Sequence, residues 1–376
     1  KVEIEFLTED MASYSYNRSN PDGTKGAYVL EGGDYSIYLG VNSHDSYETV
    51  KYTQPTTVWY DSSNPRQSEK DGQAMMNADG TLTNTPAKAQ VEADAAFVAA
   101  TNKFQESSDY MNEAATILSR ANWNGTQPSA PAAADLALPA KYLETFNKNK
   151  IDGFNPETDK ELGNVEGSHV YDNSEVKYAD SGYTLSQMRG KDYYDPEWDT
   201  LLDQINFSDE ATQEELRDLL YYGAYNTAEL KCIGKVATKD YDGPQGFSSF
   251  MVSGKDWCAY CSEVVVASTW NKELVEKYGE AIGDEAIVGD LAGWYGPAMN
   301  THRSPFSGRN FEYYSEDGVL GGHIAASVIT GAAKKGCYAY MKHFALNDQE
   351  TNRTDSICTW ATEQAMREVY LRPFEI

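Results

Sequence analysis

The sequence predicts an α/β protein with an all-β N-terminal part. From about residue 195, short apolar runs alternate with helical segments, an order typical of parallel sheets. Before residue 60 the chain instead shows strand-length runs separated by glycine and asparagine, which is typical of antiparallel strands. A length of 376 residues allows two or three domains, and 40% hydrophobic residues allow each of them a core.

Residues 1–60 are predicted to form a small β-sandwich. The opening KVEIEF alternates between polar and apolar residues, and residues 27–30 and 35–40 are two further strand-length runs. Gly32 and Gly33 lie between these two runs and indicate a hairpin turn.

Residues 61–190 are predicted to form a linker with an insertion. Residues 61–86 are rich in Ser, Asn, Asp and Gly, which favours irregular surface chain. Residues 87–123 have apolar positions at helical spacing, and GTQPSAPAAADLALPAK follows as a Pro/Ala-rich connector. A polar stretch then continues to about residue 183.

Residues 191–376 are predicted to contain about four βα units. The expected strands lie in KVATKDYDGP, EVVVAST, GWYGPAMNT and CYAYMKHF, and the expected helices in ELVEKYGEAIG and LGGHIAASVITGAAKK. Polar residues follow each expected strand: Asp242, then Thr269 and Trp270, then residues 300–303, then Lys342 and His343. Both a (β/α)8 barrel and a doubly wound sheet place functional groups at the carboxyl ends of strands, so this pattern predicts a site but leaves both architectures open.

The charge of the chain disfavours phosphate-rich partners. Acidic residues outnumber basic residues 58 to 31, for a formal net charge of -27, so neither nucleic acid nor an anionic membrane is an expected partner. No apolar run reaches the ~20 residues of a membrane helix. We therefore expect a soluble chain, with an extracytoplasmic location favoured over a cytoplasmic one. The 27 tyrosines and 7 tryptophans suit neutral polar ligands such as sugars, although tyrosines also occur in loops.

Neither a metal nor a cofactor is expected from the motifs. The five cysteines do not form a disulfide framework, and the CxxC of Cys258 and Cys261 lacks the second ligand pair of a structural zinc site. His343, Asn347 and Glu350 have suggestive spacing, but asparagine is a poor ligand for zinc or iron and no HExxH is present. GxSxG, P-loop and GxGxxG motifs are also missing, so serine hydrolysis and phosphoryl transfer lose their support.

The polar residues after the expected strands suit a sugar. The Asp242 carboxylate can accept hydrogen bonds from two adjacent ring hydroxyls, although aspartate before Gly-Pro is also typical of turns. Arg309, Lys342 and His343 can bond sugar oxygens, or the two cations can be solvated at the surface. Lys342 interrupts an apolar run, so its ammonium needs a partner. Glycosidic hydrolysis requires two carboxylates, and spacing alone cannot choose a pair among the acids Glu312, Glu316, Asp317, Asp348 and Glu350.

Motifs in residues 241–376 resemble those of glycoside hydrolase family 3, the β-glucosidase and β-xylosidase group. They occur in the family's order: DGPQG, STWNKELVEKYGEAIGDEA, GPAMNTHRSPFSGRNFEYYSED, KHFALNDQETNR and REVYLRPFEI. Upstream, GGDYSIYLGVNSHD resembles a fibronectin III-like strand motif of the same family, here placed before the barrel. LSRANWNGTQP and LSQMRGKDYYDPEWDTLLDQ resemble the connection of permuted members.

This resemblance implies the first half of a (β/α)8 TIM-like barrel, preceded by a fibronectin III-like β-sandwich portion. It also implies that Asp242, Arg309, Lys342 and His343 bind the terminal sugar, with Arg303, Asn310 and Glu312 bracing the loop. The implied reaction is retaining hydrolysis of terminal β-D-glucosyl residues, with β-xylosidase and β-N-acetylglucosaminidase as alternatives. A competing class is a non-catalytic carbohydrate-binding or structural chain.

The resemblance also implies that the catalytic pair lies elsewhere. The family's nucleophilic aspartate follows the KHF motif at a distance beyond Ile376, and its acid/base glutamate belongs to a sandwich domain that a permuted chain carries before Lys1. We therefore expect no turnover from these 376 residues alone. The expected partners are a β-glucoside or oligosaccharide substrate and the remaining parts of the same polypeptide or a homo-oligomer mate.

Overall fold

The computed structural model describes residues 6–42, 44–66, 74–76, 82–84, 119–121, 177–192, 195–248, 256–355, 359 and 361–376. These residues form antiparallel sheets in the N-terminal part and an α/β sheet in the C-terminal part. Within these ranges no helix combines the length and the apolar character needed to cross a membrane.

Five strands follow a 3-10 turn at Thr8–Met11. They are β1 Ser13–Ser19, β2 Lys25–Leu30, β3 Gly33–Gly40, β4 Ser46–Gln54 and β5 Val58–Tyr60. The predicted hairpin between β2 and β3 is wrong. β2 pairs with β1 on one side and with β5 on the other, so it has no free edge, and β3 pairs with β4 in a separate sheet. Gly32 and Gly33 therefore lie where the chain passes between sheets.

A short antiparallel hairpin lies where irregular chain is predicted. Its strands are β6 Ala74–Met76 and β7 Leu82–Asn84. The expected KVEIEF strand, the helix at 87–123 and the Pro/Ala-rich connector fall largely outside the described residues, so these three expectations stay predictions.

Small helices precede the α/β sheet. A 3-10 turn at Leu185–Met188 is followed by α1 Glu197–Leu202 and α2 Glu210–Tyr221. The Asp209 side chain caps α2 by accepting a hydrogen bond from the backbone N–H of Thr212 at 2.8 Å, which satisfies a donor that lacks a partner within the helix. These elements share a small core of Met188, Leu201, Ile205, Leu230 and Ile233.

The C-terminal sheet has the order β11-β10-β9-β8. Its strands are β8 Asn226–Thr227, β9 Thr238–Asp242, β10 Gly293–Tyr295 and β11 Tyr338–Ala339. β9, β10 and β11 are parallel, which confirms the predicted pairing, whereas β8 is antiparallel to β9. Helices α3 Glu263–Ala267, α4 Lys272–Gly289 and α5 Gly318–Lys334 connect them.

The run EVVVAST is helical and not a strand, so that prediction is wrong. Val264 and Val265 are exposed, whereas Val266 and Ala267 are buried in the helix side of the core. A run of β-branched residues favours a strand locally, but tertiary packing overrides this preference. As a result, three parallel strands are described where four βα units are predicted, and Thr269 and Trp270 follow a helix.

The two faces of the parallel sheet have different roles. Trp294 is fully buried and belongs to the same hydrophobic core as Val275, Ile282, Ile324 and Val328 of α4 and α5. Side chains alternate along a strand, so the neighbouring residue Tyr295 and its register partner Asp242 lie on the opposite face. One face of the sheet therefore holds the helices, and the other is free to carry a site.

Short helical turns complete the chain. They are Lys231–Ile233, Asn310–Glu312 and Arg353–Asp355 (3-10), α6 Glu363–Ala365, the π-helix Met366–Tyr370 and α7 Arg372–Glu375. The last three contact the N-terminal part of the chain. The Tyr14 hydroxyl donates to Glu363 Oε1 at 3.0 Å, and Arg66 Nη2 pairs with Glu375 Oε1 at 2.6 Å.

We expect Gly331→Ala to destabilise the fold by about 3 kcal/mol, because a methyl group at this position would overpack the contact between α4 and α5. An added Cβ would lie 2.0 Å from the Glu276 carbonyl oxygen. Gly321→Ala, in the same helix, is the matched control, since its Cβ would meet nothing closer than Tyr314 Cβ at 3.9 Å. Urea denaturation measures both variants, and equal losses would contradict the close packing at Gly331.

Candidate functional site

Asp242 ends strand β9 at the carboxyl edge of the parallel sheet. Its Oδ1 accepts hydrogen bonds from Lys342 Nζ at 2.7 Å and from the backbone N–H of Gly243 at 2.8 Å. About a third of its side chain is exposed, compared with 14% for Lys342. The carboxylate is therefore held in place and still accessible to a ligand.

Lys342 follows strand β11 and is paired with two carboxylates. Besides Asp242, its ammonium lies 3.5 Å from Glu312 Oε2. The backbone around Lys342 is fixed as well, because its N–H donates to the Pro297 carbonyl and its carbonyl accepts from the Met299 N–H. The ammonium of Lys342, which needs a partner because it is mostly buried, therefore has two: Asp242 and Glu312.

Arg309 lies in the loop after β10, and its three guanidinium nitrogens contact three different side chains. Nε is hydrogen-bonded to Glu312 Oε1, Nη1 lies 3.4 Å from Glu350 Oε1, and Nη2 lies 2.9 Å from His343 Nε2. The planar, delocalised guanidinium suits several acceptors in one plane, which a lysine ammonium does not. Arg309 thus joins the residues after β10 to those after β11.

His343 has hydrogen-bond partners on both ring nitrogens. Arg309 can only donate, so Nε2 must accept, and the proton of the neutral ring lies on Nδ1, which donates to the Tyr313 hydroxyl oxygen at 2.9 Å. Burial, followed by the charges of Arg309 and Lys342, lowers the pKa of His343 to about 3. The imidazole is therefore neutral near pH 7.

Four residues that sequence reasoning placed together therefore lie in one connected network. Asp242 contacts Lys342, Lys342 contacts Glu312, Glu312 contacts Arg309, and Arg309 contacts His343. Glu312 therefore contacts both cations, and its role in bracing the loop stays a prediction.

The two other residues expected to brace the loop also make local contacts. Asn310 donates to the Ser304 carbonyl at 2.8 Å and accepts from the Ser307 hydroxyl at 2.6 Å. The Arg303 guanidinium lies 6.0 Å from the centroid of the Tyr370 ring.

Residues other than the four expected sugar contacts also support the network. The Asn300 side chain donates to the His343 carbonyl at 2.9 Å, and Asn347 donates to the Tyr313 hydroxyl at 2.6 Å. Asn300 belongs to the polar residues 300–303 that follow the expected strand, so its place in the sequence is the signal that indicates it. In contrast, Trp270 is 71% exposed and lies outside these contacts.

The described residues contain no group of three or more His, Cys, Asp and Glu side chains arranged to hold a metal ion. His343 and Asn347 are occupied by the protein contacts given above. Cys258 and Cys261 are exposed free thiols, and Cys232 and Cys337 are free as well.

Comparison with known proteins identifies the C-terminal third of the chain. Residues 240–376 match the model described as the glycosyl hydrolase family 3 N-terminal domain. Residues 240–376 therefore resemble the N-terminal domain of glycosyl hydrolase family 3. The resemblance predicted from the motifs is thereby confirmed.

Two curated relatives illustrate the similarity. β-Glucosidase A of Butyrivibrio fibrisolvens is 39% identical over 178 residues, or 46% of this chain and 21% of the relative. Probable β-glucosidase H of Emericella nidulans is 42% identical over 137 residues, or 36% of this chain and 16% of the relative. The match therefore spans about a fifth of the length of these relatives.

A solved β-glucosidase from Paenibacillus barengoltzii is similar over a longer part of the chain. The match covers 98% of this chain and 33% of that one, with 21% sequence identity and a TM-score of 0.56. At this identity the similarity concerns the fold alone, and it supports the α/β class for this chain.

Proposed function

We propose that this chain supplies the sugar-binding subsite of a retaining β-glycosidase that hydrolyses terminal, non-reducing β-D-glucosyl residues. The observation that carries the proposal is the network of Asp242, Lys342, Arg309 and His343 at the carboxyl edge of three parallel strands. The curated relatives are named β-glucosidases, which favours glucose over other sugars. The parallel strands with their helices would be the first part of a (β/α)8 barrel, and the N-terminal sheets its fibronectin III-like neighbour.

The chemistry of the network suits a neutral, polyhydroxylated ligand. Asp242 offers a carboxylate that accepts hydrogen bonds, and Lys342 and Arg309 offer charged donors. Hydrogen bonds with a charged partner are stronger than neutral ones, and a sugar hydroxyl can both donate to a carboxylate and accept from a cation. Because the cations are already paired with Asp242, Glu312 and Glu350, the site has no surplus positive charge for a phosphate.

The proposed reaction is a double displacement. One carboxylate attacks the anomeric carbon while a carboxylic acid protonates the leaving oxygen, and water then hydrolyses the glycosyl-enzyme. We assign neither of these roles to Asp242, because its carboxylate is already engaged by Lys342 and acts in our proposal as a hydrogen-bond acceptor.

The full-length native protein that contains this chain is expected to hydrolyse 4-nitrophenyl β-D-glucopyranoside and to release β-D-glucose first, as proton NMR of the anomeric signals would show. The 4-nitrophenyl α-D-glucoside is the matched control and should not react, and the β-D-xyloside tests the alternative specificity. Initial release of α-D-glucose would contradict the retaining mechanism. Binding of D-glucose in calorimetry without any hydrolysis would instead support a non-catalytic carbohydrate-binding protein.

A further inference from the structure

Tyr225 lies beside Asp242, outside the segment that matches the family model. Its ring stacks on the ring of Tyr295, with centroids 4.6 Å apart and an interplanar angle of 24°. Tyr295 is the register partner of Asp242 on the neighbouring strand. Tyr225 therefore lies on the same face of the sheet as the candidate site.

The backbone of Tyr225 is fixed by both neighbouring strands. Its N–H donates to the Tyr295 hydroxyl at 2.8 Å, and its carbonyl accepts from the Asp240 N–H at 2.9 Å. Its φ of 61° lies in the left-handed region, which a bulky residue adopts only when its surroundings impose it. These contacts fix where the ring and its hydroxyl point.

The hydroxyl of Tyr225 points at the carboxylate of Asp242. It donates to Oδ2 at 3.4 Å, whereas Lys342 and Gly243 occupy Oδ1. Burial and the charge of Asp242 raise the pKa of Tyr225, so the phenol keeps its proton near pH 7. Asp242 is thus held on both oxygens, and a carboxylate oxygen with one donor still has a lone pair for a second.

We propose that Tyr225 is a positioning residue that holds Asp242 Oδ2 so that its remaining lone pair faces a hydroxyl of the bound sugar. This inference rests on the proposed function, because it specifies how the same subsite is oriented. It also assigns a role in sugar binding to the segment before residue 240, which the family model does not cover.

Tyr225→Phe in the native protein tests the proposal, because the ring and its stacking remain while the hydroxyl is lost. We expect KM for 4-nitrophenyl β-D-glucopyranoside to rise about fivefold, which corresponds to one hydrogen bond, while kcat stays within twofold. Tyr338→Phe is the matched control. It removes a tyrosine hydroxyl that donates to the buried Asp240 at 2.6 Å, so it should lower stability without raising KM.

The double variant Tyr225→Phe/Asp242→Asn separates positioning from general destabilisation. If Tyr225 acts through Asp242, Tyr225→Phe should change KM by less than twofold in the Asp242→Asn background. A fivefold effect in both backgrounds, or an unchanged KM in the single variant, would overturn the positioning role. If Asp242→Asn alone leaves kcat/KM unchanged, the proposed function of the site itself fails, whatever Tyr225 does.

Discussion

Lys342→Ala is expected to lower kcat/KM for an aryl β-D-glucoside about a thousandfold in the native protein. The ammonium is mostly buried and lies between the Asp242 and Glu312 carboxylates. Truncating one partner of a buried, hydrogen-bonded charge pair at a binding site typically costs about 2–5 kcal/mol of binding free energy, and about 4 kcal/mol corresponds to a thousandfold change. The loss should appear in steady-state kinetics with 4-nitrophenyl β-D-glucopyranoside.

A matched control separates this effect from the general loss of a lysine. Lys334 of α5 pairs with Glu276 and Glu280 on the surface, so Lys334→Ala should leave kcat/KM unchanged and alter stability by less than about 1 kcal/mol. Asp242→Ala should impair the reaction as Lys342→Ala does. Near-normal kcat/KM in both Asp242→Ala and Lys342→Ala would contradict the assignment of these residues to the sugar-binding site.

Glu263→Gln is expected to remove a pH dependence of stability worth about 4 kcal/mol between pH 5 and 8. Glu263 begins α3 and is 1% exposed, and among the described residues neither carboxyl oxygen has a hydrogen-bond partner at normal geometry. Burial raises the pKa of Glu263 from 4.5 to about 8, and the charge of Glu312 adds a smaller increase. The Gln245 side chain and the charge of Lys342 act in the opposite direction without cancelling the effect of burial.

The sign of the effect follows from the raised pKa. Between about pH 4.5 and 8 the folded protein keeps the proton of Glu263 and the unfolded chain does not. The free energy of unfolding therefore falls by about 1.4 kcal/mol per pH unit in this window. The stabilisation is complete below pH 4.5 and is lost as the pH rises towards 8.

Urea denaturation of the wild-type protein and Glu263→Gln at pH 5, 6, 7 and 8 measures the difference. The difference in the free energy of unfolding between the two proteins should change by about 4 kcal/mol over this range, because the contributions of other titrating groups cancel in the comparison. Glu273→Gln, in the exposed first turn of α4, is the matched control. Its difference from the wild type in the free energy of unfolding should change by less than about 0.5 kcal/mol over the same pH range. Parallel curves for Glu263→Gln would contradict a neutral buried acid.

Much of the candidate site could be predicted because its residues belong to short motifs after strands. Asp242 follows β9, and Lys342 and His343 follow β11, so parallel pairing of these strands brings them to one edge. Tyr225 could not be predicted in this way, because it precedes the sheet and reaches Asp242 only through the fold. The helix at EVVVAST could not be predicted either, because its valines favour a strand locally. The helical conformation is stabilised by the burial of Val266 and Ala267, which depends on the tertiary structure.

By itself the sequence determined the order of most C-terminal elements, the helix caps and the family motifs. These features depend on residues a few positions apart, such as the Asp317 side chain that accepts hydrogen bonds from Val319 and Leu320 at the start of α5. Only the tertiary structure decided which charges pair, which tyrosine supports Asp242 and which glutamate stays protonated. Lys342 and Asp242 are 100 residues apart, and their contact depends on strand register and burial, which act across the fold.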